Sequence, residues 1–492
     1  MAKQLNFVLF NPDEMRAESL GCYGHSTART PHLNALAEDG VRFEQAHVQH
    51  TVCTPSRCSF MTGWYPHVSG HRTLWHMLRP HEPNLLRYLK GAGYQVGWFG
   101  KNDLLAPASF ADSVDVATSG VRAGPPGVGH AERAFGKDHA GFQSFLMGPR
   151  QNCTIEDMWD SRMVRRGIDF ISRRDPSRPF CLYLPIGMPH CPYTCPPPYY
   201  EMHDPDALHP LRPAGLSGKP DFHAMIRRYR RLDELGEDVF RKINAVYLGM
   251  ITAVDQMLGW LLDALDEMRL TEETVVIVFS DHGDWAGDWG LVEKWSNGLD
   301  DTLTRVPFIV RCPGGARAHV VKDPIEVQDL FATVMELAGI TPSHSHFSRS
   351  LASQLHGAAG DAGRAVFAEG GYDPFEPQAF EGRAADGELF RNPDDIYYLK
   401  GLQQQQQPQS VCRSTMIRTA THKLIRRPGG VSELYDLAAD PRELANRYGD
   451  AALAGVQAQL ERRMLDWLIG TSDAPPADKD PRTMPRIEPG GA

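Results

Sequence analysis

Val275-Val276-Ile277-Val278-Phe279-Ser280-Asp281-His282-Gly283-Asp284 passes from five apolar residues straight into a polar turn. A short, unbroken apolar run of this kind reads as a strand covered on both faces, because a half-exposed strand would alternate. The same shape recurs at residues 7–10, followed by Asn11-Pro12-Asp13-Glu14, and at 95–99, followed by Gly100-Lys101-Asn102-Asp103. Residues 180–185 and 308–310 add two more strands. Helical patterns lie between them at 82–92, 155–173, 240–268 and 325–338. Strands alternating with helices predict an α/β fold, a large and mostly parallel sheet sandwiched by helices. Ligands of such sheets bind beyond the carboxyl ends of the strands, which is where the polar residues follow.

Two separated strands ending in Asp13 and Asp281 can hold a divalent cation between them. The competing reading is that these acids cap turns, as Asp often does. A second stretch bears on the choice: Cys53-Thr54-Pro55-Ser56-Arg57, then Cys58-Ser59-Phe60-Met61-Thr62-Gly63. Pro55 suits the first turn of a helix, where its missing N–H costs nothing. Cys53 then sits at the positive helix end, where backbone N–H groups favour anions. Arg57, four residues on, shares that face. The three features converge on a site for a tetrahedral oxyanion, sulfate or phosphate.

Cys-x-Pro-x-Arg with a following Thr-Gly resembles the signature of the formylglycine-dependent sulfatases, within the alkaline phosphatase superfamily. Further motifs appear in the family's order from Asn6 to about residue 470. The resemblance implies an alkaline-phosphatase-like sheet with a smaller C-terminal α+β subdomain. It implies that Cys53 is oxidised to formylglycine by a maturation enzyme, the formylglycine-generating enzyme. It places one divalent cation on Asp13, Asp281 and His282, with Glu14 where the family often has a second aspartate. Histidine at 282 is similar to the choline-sulfatase and phosphonate monoester hydrolase branches; an imidazole ligand shifts the metal from oxygen-loving Ca²⁺ towards Mn²⁺ or Zn²⁺, and Mn²⁺ or Ca²⁺ is the expected ion. Lys101 is carried over as a contact to sulfate oxygens. Asp103 stands where the family has a catalytic base, and Asn102, Asp103 or another histidine could fill that role. His190, in Pro189-His190-Cys191-Pro192, and Lys294, in Glu293-Lys294, are carried over to the leaving-group oxygen. His71 and Thr73 are expected to contact substrate, whereas His47 and His50 read as packing.

Composition excludes other classes. A net charge of −10 argues against nucleic acid, whose partners carry a basic stripe. No apolar run in the sequence reads as long enough to span a bilayer. Residues 1–4 lead directly into the first strand, and nine irregularly spaced cysteines fit reduced thiols, so a cytoplasmic location is expected. Three segments are predicted: a catalytic domain at 1–360, a subdomain at 361–470 with a small antiparallel sheet and a helix at 451–469, and a Pro-rich tail at 471–492. Residues 403–407, a glutamine tract, read as an exposed loop, and 122–141 as a long loop at the pocket mouth. Relatives carrying this histidine imply a homo-oligomer.

The expected reaction is hydrolysis of a small sulfate monoester. The cation, Arg57, Lys101 and Lys294 would neutralise the ester's charge. An aldehyde hydrate at residue 53 would offer one hydroxyl as nucleophile and use the other to release sulfate; serine would have no such exit. His190 or Lys294 would protonate the departing oxygen. The rival readings are a phosphonate monoester or phosphodiester substrate at the same site, and an inactive homologue that only binds.

Overall fold

The computed structural model describes residues 4–118, 129–373, 375–376, 383–384, 387–388, 392–476 and 482–484. Nine strands form the main sheet: β1 (Asn6–Asp13), β2 (Val41–His47), β3 (Gln95–Phe99), β4 (Val116–Thr118), β5 (Phe180–Pro189), β6 (Thr274–Phe279), β7 (Arg305–Val306), β8 (Phe308–Arg311) and β9 (His319–Glu326). Their order is β4-β3-β5-β1-β6-β8-β2-β7, with β9 also on β2. From β4 through β6 all pairings are parallel, and β8 enters antiparallel against β6.

Alternate residues of the apolar runs feed opposite cores. Val8, Phe10, Leu182, Leu184, Val276 and Val278 pack on one face, and Phe7, Leu9, Cys181, Tyr183, Val275 and Ile277 on the other. Burial on both faces is why these strands read as continuous apolar runs. The second face is covered by α1 (Cys53–Thr62), α2 (Leu85–Gly91) and, later in the chain, Asp329–Ala338. The first is covered by α3 (Trp159–Ser172) and α4 (Glu237–Glu267). Helix α4 is long and apolar enough to cross a membrane, contrary to the expectation from sequence. Here 78% of its most apolar stretch is buried in the protein, so its hydrophobicity serves the core.

Strands β2, β4, β7 and β9 were not among the five expected. Strand β2 was not anticipated, because Val41-Arg42-Phe43-Glu44-Gln45 alternates and carries charge, unlike the inner strands. The helix expected from 325 begins at Asp329, since Ile325 and Glu326 still belong to β9, paired with Ala46 and His47.

A second sheet joins Val366–Gly370, Ser414–Arg418, His422–Arg426 and Glu433–Asp436, all antiparallel. Leu460, Met464 and Trp467 of the helix Ala454–Gly470 pack on Ile417, Leu424 and Leu434 of this sheet. The glutamine tract is not an exposed loop. Gln403–Gln406 lie in the helix Tyr398–Gln406, where Gln403 and Gln404 are buried on the side that meets a neighbouring helix and Gln405 and Gln406 are exposed. Of the expected loop at 122–141, residues 122–128 fall outside the described residues, as do 477–481 and 485–492 of the tail.

Candidate active site

Four neighbouring strands, β3, β5, β1 and β6, end at one place, and each delivers a polar group there. Asp13 is the last residue of β1. Asp281 and His282 follow β6, Lys101 follows β3, and His190 follows β5. Two glycines make the approach possible. A side chain at Gly100 (φ 147°) would meet the Pro185 carbonyl at 2.2 Å, and one at Gly283 would meet the Thr302 carbonyl at 1.9 Å. Glu14, at φ 72°, turns the chain after β1, and its N–H donates to Asp281 Oδ1 at 3.1 Å.

Helix α1 brings its first residue, Cys53, into this ring, and Ser56 anchors it by donating to the Asp281 carbonyl at 2.6 Å. Cys53 Sγ lies 3.2 Å from His282 Nε2, 3.5 Å from Asp13 Oδ1 and 3.6 Å from Lys101 Nζ. Arg57 is fully buried; Nε and Nη2 each reach Asp281 Oδ2 at 2.8 Å, and Nη2 reaches Asp13 Oδ2 at 3.2 Å. Lys101 Nζ sits 2.6 Å from both Asp13 and Asp103. Lys101, Asp103 and His190 are the members with partial exposure, 16%, 17% and 12% of their side chains, and so mark the mouth.

The donor set suits the divalent cation that the family resemblance implies. Ligand atoms of Asp13, Cys53, Asp281 and His282 lie within 4.8 Å of one another. His282 Nδ1 is 2.9 Å from the Gly283 carbonyl, which places the ring proton there and leaves the Nε2 lone pair facing the group. Burial disfavours a charge on Asp13, yet the Lys101 and Arg57 cations outweigh it and hold the carboxyl well below its usual range, ready to ligate. Of the four residues expected on the cation, Glu14 is the exception. Its Oε2 turns to Lys294 Nζ at 3.4 Å and His190 Nε2 at 3.5 Å, in a separate group with His190 and Cys191. The extra methylene carries its carboxylate past the point an aspartate would occupy.

Cys53 as translated is a poor nucleophile. Burial, and then the Asp13 charge, push its thiol well above the usual range, so it stays protonated. On the other side of the site Lys294 Nζ is 2.5 Å from His190 Nε2, and His190 Nδ1 donates to the Cys191 carbonyl at 2.6 Å. Burial and Lys294 hold His190 well below its usual value, so the ring is neutral.

The residues proposed around the mouth divide. Asn102 spends its amide within its own loop, accepting from the N–H groups of Leu104 and Leu105, so it is no base. Asp103 is held low by Lys101 and Arg57 despite burial, which makes it a weak one. His71 is tied beneath α1, with Nδ1 on the His76 carbonyl at 2.6 Å and Nε2 on Glu82 at 3.1 Å. Thr73 is buried with its hydroxyl 3.3 Å from His76 Nδ1. The substrate contacts expected of His71 and Thr73 are therefore corrected to local packing. Sequence reading missed Tyr397 and Lys400. Lys400 pairs with Glu293 at 2.7 Å, beside Lys294, and the Tyr397 hydroxyl is 3.8 Å from Cys191 Sγ. They come from a glutamine-rich segment over 100 residues away in the chain, and no local pattern marks them.

The sulfatase family profile matches residues 5–340. The chain is 30% identical over 361 residues to the uncharacterised sulfatase YidJ of Escherichia coli (strain K12), spanning 69% of this chain and 68% of that one. It is 26% identical over 369 residues to an arylsulfatase of Clostridium perfringens (strain 13 / Type A), spanning 68% and 75%. Its fold is similar to that of a phosphonate monoester hydrolase of Agrobacterium radiobacter, with a TM-score of 0.74, 22% identity and 96% of each chain covered.

Proposed function

The chain belongs to the sulfatase family, and on that basis we propose that it hydrolyses sulfate monoesters to an alcohol or phenol and inorganic sulfate. The observation that carries the reading is Cys53 at the head of α1, within 3.6 Å of His282, Asp13 and Lys101. When bound, a divalent cation supplies charge neutralisation and acidifies the attacking hydroxyl, which comes from the matured Cys53.

The chain's own groups do the rest. Arg57 holds Asp13 and Asp281 in their orientations, so neither carboxylate needs to reorganise. Lys101 stands at the mouth, where its ammonium can receive a sulfate oxygen. Lys294 is the proton source for the departing oxygen. His190 is neutral, accepts from Lys294 and orients it, so the donor role left open between the two falls to the lysine. The two carboxylates suit Mn²⁺ and Ca²⁺ alike, whereas the imidazole suits Mn²⁺ better than oxygen-loving Ca²⁺, and metal analysis of the purified protein separates them. Nine cysteines without a disulfide support the cytoplasmic proposal. Maturation by a formylglycine-generating enzyme and homo-oligomerisation complete the proposal, tested by peptide mass and light scattering.

A phosphonate monoester offers the same tetrahedral centre with one negative charge. His282 and the full-length likeness to a phosphonate monoester hydrolase favour it as the second reading. The test is kcat/KM for an aryl sulfate and an aryl phosphonate monoester, side by side, on protein whose Cys53 conversion is verified. Preference for the sulfate supports the proposal and preference for the phosphonate replaces it. A Cys53 that stays a thiol in the presence of the maturation enzyme would leave a binding protein.

A further inference from the structure

A separate cavity of about 540 Å³ opens between the segment carrying His50 and the C-terminal helix Ala454–Gly470. Its lining combines two chemistries. His50, Arg72 and Arg413 supply nitrogen donors. His50 Nδ1 accepts the Val52 N–H at 3.0 Å, so the neutral ring carries its proton on Nε2. His50 is 1% exposed, and that Nε2–H has no acceptor among the described residues. Arg72 Nε is likewise a buried donor without an acceptor. Among the described residues, Arg72 and Arg413 share one carboxylate, Glu376, at 3.4 and 3.6 Å, so two guanidinium charges face a single paired acid.

Two further acids line the cavity, and each is paired there with a basic side chain other than Arg72 and Arg413. Glu369 is 2.5 Å from His67, and Glu461 is 3.3 Å from Arg426. The helix contributes apolar lining, with Leu465 57% and Leu468 37% exposed. Buried donors lacking acceptors cost free energy until a ligand brings the acceptor, and exposed leucines recover free energy when hydrocarbon covers them. A cavity of this size is ordinary for a small organic ligand.

We infer that this cavity is a second binding site, distinct from the catalytic cluster, for an amphiphilic carboxylate. The carboxylate would lie among His50, Arg72 and Arg413, and an alkyl chain would run along Leu465 and Leu468. The inference does not rest on the hydrolytic reading, because none of these groups belongs to the cluster around Cys53.

The test is titration calorimetry of the full-length protein with decanoate below its micellar concentration, alongside acetate and decanol. Expected is one-to-one binding of decanoate, with acetate and decanol at least about tenfold weaker, since each lacks one end of the ligand. Arg413→Ala and Leu465→Asp, both at exposed positions, should each weaken decanoate roughly tenfold or more and leave aryl sulfate turnover unchanged. Lys101→Ala should leave decanoate binding intact. Three results overturn the inference: no binding, binding lost in Lys101→Ala and kept in Arg413→Ala, or decanol binding as tightly as decanoate. If decanoate fails to bind and Leu465→Asp dissociates an oligomer, the apolar lining is a subunit interface instead.

Discussion

Cys53 and Glu14 are the residues whose roles differ most from what their chemistry alone suggests. A buried thiol beside Asp13 does not ionise, so reactivity at this position depends on conversion of the side chain. Cys53→Ser should lower steady-state kcat for an aryl sulfate by roughly 10³-fold or more, because a sulfated serine has no second hydroxyl to expel the sulfate. Intact mass should then show one sulfate retained per chain, and turnover at the wild-type rate would sink the mechanism. Glu14 tests the division of the acids. His282→Ala should weaken divalent metal binding by roughly 10- to 100-fold. Glu14→Gln should keep the metal content and lower kcat instead, since its carboxylate faces Lys294 and His190. Equal loss of metal in both variants would return Glu14 to the cation.

At the scale of elements, the site depends on how α1 is seated. Its N-terminus is held by Ser56 on the Asp281 carbonyl, and the loop below it is pinned by Glu82. Burial raises the Glu82 carboxyl, but His71, Ser69 and the Arg79 N–H outweigh it and hold it at about 2. A carboxyl lowered on folding stabilises fully above its unfolded value of 4.5 and loses that contribution as pH falls through about 2. Glu82→Gln should therefore lower stability near pH 7 by on the order of 1–2 kcal/mol, after allowing for screening by solvent. In urea titrations the gap from wild type should hold down to about pH 5 and close between 4.5 and 2. A gap that stays constant to pH 2 would show that packing, and not charge, sets the effect.

Across the whole molecule, the two sheets are joined by buried charge. Lys423, fully buried on the second sheet, reaches Asp301 at 2.9 Å and Glu443 at 2.6 Å, and Arg418 reaches Asp301 at 3.3 Å. Asp301 opens the short helix Asp301–Thr304, which lies in the chain between Lys294 and β7. Lys423→Ala leaves two acids buried with less compensation and should cost about 3–5 kcal/mol. A fall in the urea midpoint shared by tryptophan fluorescence and activity would show that the sheets unfold together, and separate midpoints would show that they do not. Much of this architecture was legible in the chain. Apolar runs located β1, β3, β5 and β6, those of β1 and β6 ending in acids, and the Cys53–Arg57 spacing placed a helix end beside them, because strand burial and helix periodicity are local properties that sequence records directly. Strand β2, the buried glutamines and the neighbours of Lys294 were not legible, since their burial depends on partners hundreds of residues away. By itself the sequence determined the α/β class, and it singled out Cys53, Asp13, Asp281 and His282, which the fold brings together. Only the tertiary structure decided that Glu14 leaves that set, that His71 and Thr73 pack locally and that Lys400 backs Glu293. The reason is that a side chain's reach of a few ångströms is set by which distant segments fold against it.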